Sequence, residues 1–264
     1  LYDWTYEKDL GPSGLLTLKQ GLMRSCNPWF WHIGLTLWND GYESAITDVA
    51  RGFGLGKLTG VEIPEREGNL QQPESASANV QLAIGQSTLQ VSPLQVARFV
   101  AAVGNGGTLY RPSLVEKIAF LDGDPLYTFK PEADGTLPVT TDNLKAIQEA
   151  MVSVIRDPRG TANYQFRGFS WNVAGKTGTA ENPAGDSHAW FAGYTFNNDP
   201  NKPDIAVAII LENAGEGSEL AAPLFRRVVS LYFTDGKNTG GTMPWEDSPY
   251  VPSTPTPEAS TTTP

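Results

Sequence analysis

Apolar side chains recur along the first half of this chain at the three-to-four-residue spacing of helices, and along the last third as short unbroken runs. Leu15, Leu16, Leu18, Leu22 and Met23 make a helical stripe that stops at Ser25-Cys26-Asn27. Asn27 then reads as an N-cap with Pro28 at the first helical position, opening a second helix that carries Phe30, Ile33 and Leu37. The segment Ser25 to Asn27 is therefore expected to be a tight turn between two helices, with its polar side chains presented. A third helix runs through Ala45, Ile46, Val49, Ala50 and Phe53 and ends in the glycines Gly52, Gly54 and Gly56. Ser92-Pro93 starts another, through Leu94, Ala97, Val100 and Ala101, stopped by Gly104-Asn105-Gly106-Gly107. Thr141 caps a further one, through Leu144, Ile147, Met151 and Val154.

In the last third the period changes. Residues 172–180, 189–196 and 205–211 are short, apolar-rich and separated by turn residues such as Asn197-Asn198-Asp199-Pro200. Three successive strands with short connections predict an antiparallel meander. A helix over residues 220–233, with Leu220, Leu224, Val228, Leu231 and Tyr232, can cover one sheet face. The pattern predicts an α/β (α+β) architecture, an antiparallel sheet covered by helices beside a helical subdomain. It also suggests a division at residues 236 and 237. Residues 1–236 form the folded domain, and residues 237–264, rich in Pro, Thr and Ser, form a disordered tail too poor in apolar side chains to offset its ordering entropy.

Composition narrows the partners. With 264 residues and 40% hydrophobic content the chain can bury a sizeable core. The net charge of −10 argues against nucleic acid and anionic lipid, which demand basic surface. One cysteine, Cys26, excludes an internal disulfide, and two histidines, His32 and His188, propose no metal cluster. No cofactor motif is present, and no apolar run is long enough to span a bilayer.

The candidate chemistry is concentrated in Lys176-Thr177-Gly178-Thr179-Ala180-Glu181, which places one cation, two hydroxyls and a glycine on a predicted strand. That set suits a strand that binds an acyl-donor peptide through its backbone and its carboxylate. Together with the Ser25-Cys26-Asn27 turn it resembles the Lys-Thr-Gly and Ser-x-Asn signatures of the penicillin-binding protein transpeptidases, the monofunctional class B enzymes in particular. LKQGLMRSCNPWFWHIG, FGLGKLTGVEIPEREG, VQLAIGQSTLQVSPLQVARFVAAVGNGGTLYRP and GTANYQF extend the likeness from about residue 10 to about residue 232.

The resemblance implies a β-lactamase/transpeptidase-like fold and a peptidoglycan D,D-transpeptidase, a serine acyltransferase outside the bacterial cytoplasmic membrane. Its partners would be a stem peptide ending in D-Ala-D-Ala, β-lactam antibiotics and the machinery of wall synthesis or division. It implies that Ser25 relays a proton to the leaving amine and that Asn27 holds the catalytic lysine and a substrate amide. Lys176 would supply positive potential and attract the donor's carboxylate, and the Thr177 and Thr179 hydroxyls would bind it. Gly178 would let the substrate backbone lie flat against the strand, and the Thr179 N–H would serve an oxyanion hole.

Other residues carry plainer readings. Cys26 is a packed thiol, His32 is structural, Trp190 and Phe191 are core and wall, and Glu62, Glu65 and Glu67 form a solvated loop. His188 enters a strand near the motif and is a lesser candidate for lining the site. One family signature is absent: no serine is followed three residues later by lysine. The expectation is a chain that begins partway through the domain, N-terminally incomplete and inactive alone. A D,D-carboxypeptidase, a serine β-lactamase, a β-lactam or muropeptide sensor, or a non-catalytic interaction protein are the alternatives on the same pattern.

Overall fold

Side-chain caps from Thr17, Ser75, Ser92 and Thr140 mark the starts of four helices in the computed structural model, which describes residues 3–121 and 123–237. Helix α1 (Trp4–Glu7) is followed by α2 (Leu18–Arg24), whose N-cap Thr17 and Gln20 exchange bonds in a capping box. Then come α3 (Asn27–Asn39), α4 (Ala45–Gly52) and α5 (Ala76–Leu82), the last capped by the Ser75 hydroxyl. Helix α6 (Pro93–Gly104) opens with a second capping box, Ser92 with Gln95, and Pro93 in its first turn.

Four short strands, β1 (Thr108–Tyr110), β2 (Lys117–Ala119), β3 (Pro125–Thr128) and β4 (Ala133–Thr136), precede α7 (Thr141–Arg156). They form two small antiparallel pairs, β1 with β4 and β2 with β3. The C-terminal block is β5 (Val173–Ala180), β6 (His188–Thr195), β7 (Ala206–Leu211), a π turn over Gly217–Ala221 and α8 (Ala222–Phe233).

Strands β5, β6 and β7 pair in that order, all antiparallel, as the meander predicts. Directly paired residues share a face. One face carries Val173, Phe191 and Ile209 into a core with α8 and the 3-10 turn Asn163–Phe166. Phe191 and Phe225 meet there with ring centroids 4.7 Å apart. The other face carries Ala174, Ala192 and Tyr194 into a second core with α6 and α7. The sheet is the middle of three layers, and β5 is one of its edges.

The structure corrects several expectations. Helix α2 starts at Leu18, because Thr17 supplies the cap, and Leu15 stands fully exposed before it. Cys26, rather than Asn27, holds the N-cap position of α3, and Thr140, rather than Thr141, caps α7. Helix α8 begins two residues late, since a π turn occupies the start of its apolar stripe. The loop carboxylates are not uniformly solvated: Glu65 accepts the Thr59 N–H, the Thr59 hydroxyl and the Gly60 N–H at 2.9, 2.7 and 2.7 Å. His32 is exposed rather than packed. The Pro/Thr/Ser-rich segment, from residue 238 on, lies outside the described residues.

Candidate active site

Two segments 151 positions apart meet at the edge of the sheet: Lys176 Nζ donates to Ser25 Oγ at 2.8 Å. Each is held in its own way. Helix α2 ends at Ser25, which adopts the left-handed conformation (φ 51°, ψ 46°) while its N–H bonds the Leu22 carbonyl at 3.1 Å and that of Cys26 bonds Gly21 at 2.9 Å. A non-glycine residue rarely takes this conformation, and here it turns the serine side chain out of the helix line toward β5. The turn is anchored from both sides. Trp4 Nε1 donates to the Arg24 carbonyl at 3.0 Å, the Arg24 guanidinium lies 4.9 Å from the Trp4 ring centroid, and Asp3 Oδ1 accepts the Asn27 N–H at 3.3 Å.

Because Cys26 takes the N-cap position, the Asn27 side-chain amide is not spent on capping and makes no hydrogen bond to another described residue. Cys26 itself is buried, and that burial pushes its thiol above the ordinary range, which suits a packed group rather than a nucleophile.

Strand β5 runs in unbroken register with β6, Lys176 opposite Ala192, Gly178 opposite Trp190 and Ala180 opposite His188. Lys176 thus belongs to the face that packs on α6 and α7, and Thr177 and Thr179 to the opposite face. As an edge strand, β5 lets side chains from both faces reach one ligand lying along it. Lys176 Nζ also donates to the Thr177 carbonyl at 2.7 Å, and Gln86 Nε2 donates to the Thr179 carbonyl at 3.4 Å. Both carbonyls therefore point away from β6, and in an antiparallel strand the N–H of the same residue points the same way. The Thr177 and Thr179 N–H groups face the open edge.

Partial burial with no carboxylate beside it pushes the Lys176 ammonium from its ordinary 10.5 down to about 8, so the cation survives at neutral pH but is readily neutralised above it. The Thr177 hydroxyl is oriented by Thr161, whose own hydroxyl lies 2.8 Å away. The Thr179 hydroxyl donates to Glu216 at 3.3 Å and accepts the Gly217 N–H at 3.4 Å.

Glycine at position 178 has a packing reason of its own: a Cβ there would stand 3.0 Å from the Trp190 Cβ on the paired strand. His188 Nδ1 accepts the Asn213 N–H at 3.0 Å, which fastens the turn after β7 rather than serving the Ser25–Lys176 junction. Phe191 is wholly buried core and Trp190 packs under the Lys176 face.

The sequence pattern did not single out Thr161, Gln86, Glu216 or Gly217. A lone Gly160-Thr161 or Gly85-Gln86 step carries no periodicity, and only the fold brings these residues to β5.

The model of the family described as penicillin binding protein transpeptidase domain matches residues 1–230. A peptidoglycan D,D-transpeptidase MrdA of Haemophilus influenzae is 30% identical over 247 residues, 81% of this chain and 36% of that protein. A peptidoglycan D,D-transpeptidase PbpA of Mycolicibacterium smegmatis is 29% identical over 244 residues, 86% of this chain and 46% of that protein. The chain thus spans less than half the length of these curated relatives. Among solved structures, a chain of a peptidoglycan synthase complex superposes with a TM-score of 0.72 at 29% identity, over 85% of this chain and 38% of that one. The imipenem acyl-enzyme complex of penicillin-binding protein A from M. tuberculosis does so with a TM-score of 0.68 at 27% identity, over 83% of this chain and 48% of that one.

Proposed function

The chain belongs to the penicillin-binding protein transpeptidase family, and from that premise we propose that it forms the donor-binding wall of a peptidoglycan D,D-transpeptidase working outside the cytoplasmic membrane. The observation that carries this reading is the Lys176–Ser25 contact, which joins the strand motif to the turn motif across the whole intervening chain. In this reading the stem peptide lies along β5 as an added strand, its backbone on the outward N–H and C=O groups of Thr177 and Thr179. Its terminal carboxylate meets the Lys176 ammonium from one face and the Thr177 and Thr179 hydroxyls from the other.

A serine oxygen attacks the carbonyl of the penultimate D-alanine. The developing oxyanion is held by the Thr179 N–H, the amide bond to the last D-alanine breaks, and Ser25 passes the proton to the departing amine. Asn27, its side-chain amide uncommitted, orients the donor amide and the general base. An amine from a neighbouring stem peptide then attacks the acyl-enzyme, forming the cross-link and releasing the serine. These 264 residues hold no Ser-x-x-Lys run, so the reading requires the nucleophile and its lysine to come from residues outside them.

Fluorescent penicillin tests this directly. The full-length gene product should retain the label through denaturing electrophoresis, and the 264 residues expressed alone should not. Labelling of the short chain would place a nucleophile within it and overturn the assignment of Ser25 as a relay. An unlabelled full-length protein would overturn the acyl-transfer reading itself.

A further inference from the structure

Thr179 is the residue of the donor-binding wall whose hydroxyl is already committed to a carboxylate of the same chain. A hydroxyl has one proton to donate, and that of Thr179 goes to Glu216 Oε2 at 3.3 Å. The arrangement is held from behind. The Gly217 N–H donates back to Thr179 Oγ1 at 3.4 Å, and the Gly217 backbone is pressed so closely on the sheet that a Cβ would fall 2.1 Å from the Gly178 carbonyl oxygen and 2.3 Å from that of Trp190. The backbone beside position 216 is therefore laid directly against the sheet, with no side chain between them. The other oxygen of Glu216 already stands beside a cation: Lys8 Nζ lies 3.6 Å from Glu216 Oε1 and 3.7 Å from Glu219 Oε1. Glu216 is about two-fifths exposed, which leaves its side chain room to move.

We propose that Glu216 is a resident carboxylate that competes with the donor's terminal carboxylate for the Thr179 hydroxyl, and that Lys8, already paired with its other oxygen, is the cation that retains it when the donor enters. This rests on the donor-binding reading of β5 given above. Two carboxylates sharing one hydroxyl repel each other, so an acid takes the Thr179 proton only as Glu216 releases it and keeps Lys8 alone. Glu216 thereby sets how strongly the wall discriminates a charged terminus from a neutral one, a specificity that Lys176 alone would make larger.

The test compares N-acetyl-D-alanyl-D-alanine with its C-terminal carboxamide, by ligand-observed NMR titration of the full-length protein. Glu216→Gln keeps an acceptor for Thr179 and removes the charge. It should tighten the Kd of the acid about three- to fivefold, on the scale of an exposed charge contact, and leave that of the amide unchanged. Lys8→Met should weaken the acid, whereas Glu219→Gln, which touches Lys8 but not Thr179, should move it less than Glu216→Gln does. A merely structural Glu216 would shift acid and amide together, and that outcome overturns the proposal. So does equal acid affinity in wild type and Glu216→Gln. Failure of the donor-binding reading shows separately: an acid that binds neither protein, or acid affinity that Lys176→Ala leaves unchanged, overturns that reading and the proposal with it.

Discussion

Strand β5 and the Ser25–Asn27 turn face one another across 2.8 Å, yet opposite means hold them in place. The strand is one edge of a three-stranded ladder in full register, and behind it lies a core of wholly buried aromatics. It needs no unusual backbone: none of its residues has a positive φ. The turn hangs from a helix of seven residues, places a serine in the left-handed region, and is tied down by Trp4, Arg24 and Asp3. In the proposed reading, regular structure thus supplies the side that offers backbone groups to a ligand, and local strain the side that offers a single hydroxyl.

Substitutions that load one side and spare the other test this contrast. The largest effect is expected from Phe225→Ala, which empties the core behind the strand. Stability should fall by about 3–5 kcal/mol in urea unfolding, and a loss under about 1 kcal/mol would mean that the sheet does not depend on that layer. Next comes Lys176→Ala. Penicillin acylation of the full-length protein should drop by the equivalent of about 1.5–3 kcal/mol, the worth of a charge-assisted contact, with circular dichroism unchanged. A rate within about threefold of wild type would remove Lys176 from the carboxylate site.

The same lysine gives the strand side a pH signature. Its pKa lies at about 8 in the folded chain against 10.5 ordinarily, so between those values the unfolded chain holds a proton that the folded chain has released. Stability should therefore rise with pH across that window, and the stability gap between wild type and Lys176→Met should change with pH there. Affinity for a carboxylate ligand should fall through pH 8 as the cation is lost, while that of the matching amide stays level. A flat profile would mean that the ammonium is as well hydrated as a surface lysine.

The smallest expected effect sharpens the comparison most. Ser25→Gly should stabilise the protein by about 1 kcal/mol or less, because relief of the left-handed strain, worth about 1–2 kcal/mol, outweighs the roughly 0.5–1 kcal/mol entropic cost of glycine, while acyl transfer collapses. Loss of stability instead would show that the Ser25 hydroxyl holds the turn together.

Much of this could be read from the chain. The meander, the helix at Ser92-Pro93 and the turn at Ser25 follow from short apolar runs between turn residues, capping and proline placement, which act over a few neighbouring residues. The strand motif and the turn motif were recognisable as residues for the same reason. What escaped was short or tertiary. Strands β1 to β4 have three or four residues each, too few to carry a period. The hydroxyl pair Thr161–Thr177 joins positions 16 apart through a 3-10 turn that no pattern announces.

Gly178 shows where the two kinds of information part. As a sequence feature it suggests space for a substrate, whereas the paired Trp190 gives it a packing reason. The sequence by itself determined the longer helices, the three strands of the meander and which residue types stand at the turn and on the edge, because propensity and capping are local. Only the tertiary structure decided that Lys176 reaches Ser25, that Thr177 and Thr179 turn their backbone outward, and that Glu216 takes the Thr179 proton. Those outcomes depend on which faces the two cores bury and which edge is left open, and burial is a property of the whole chain.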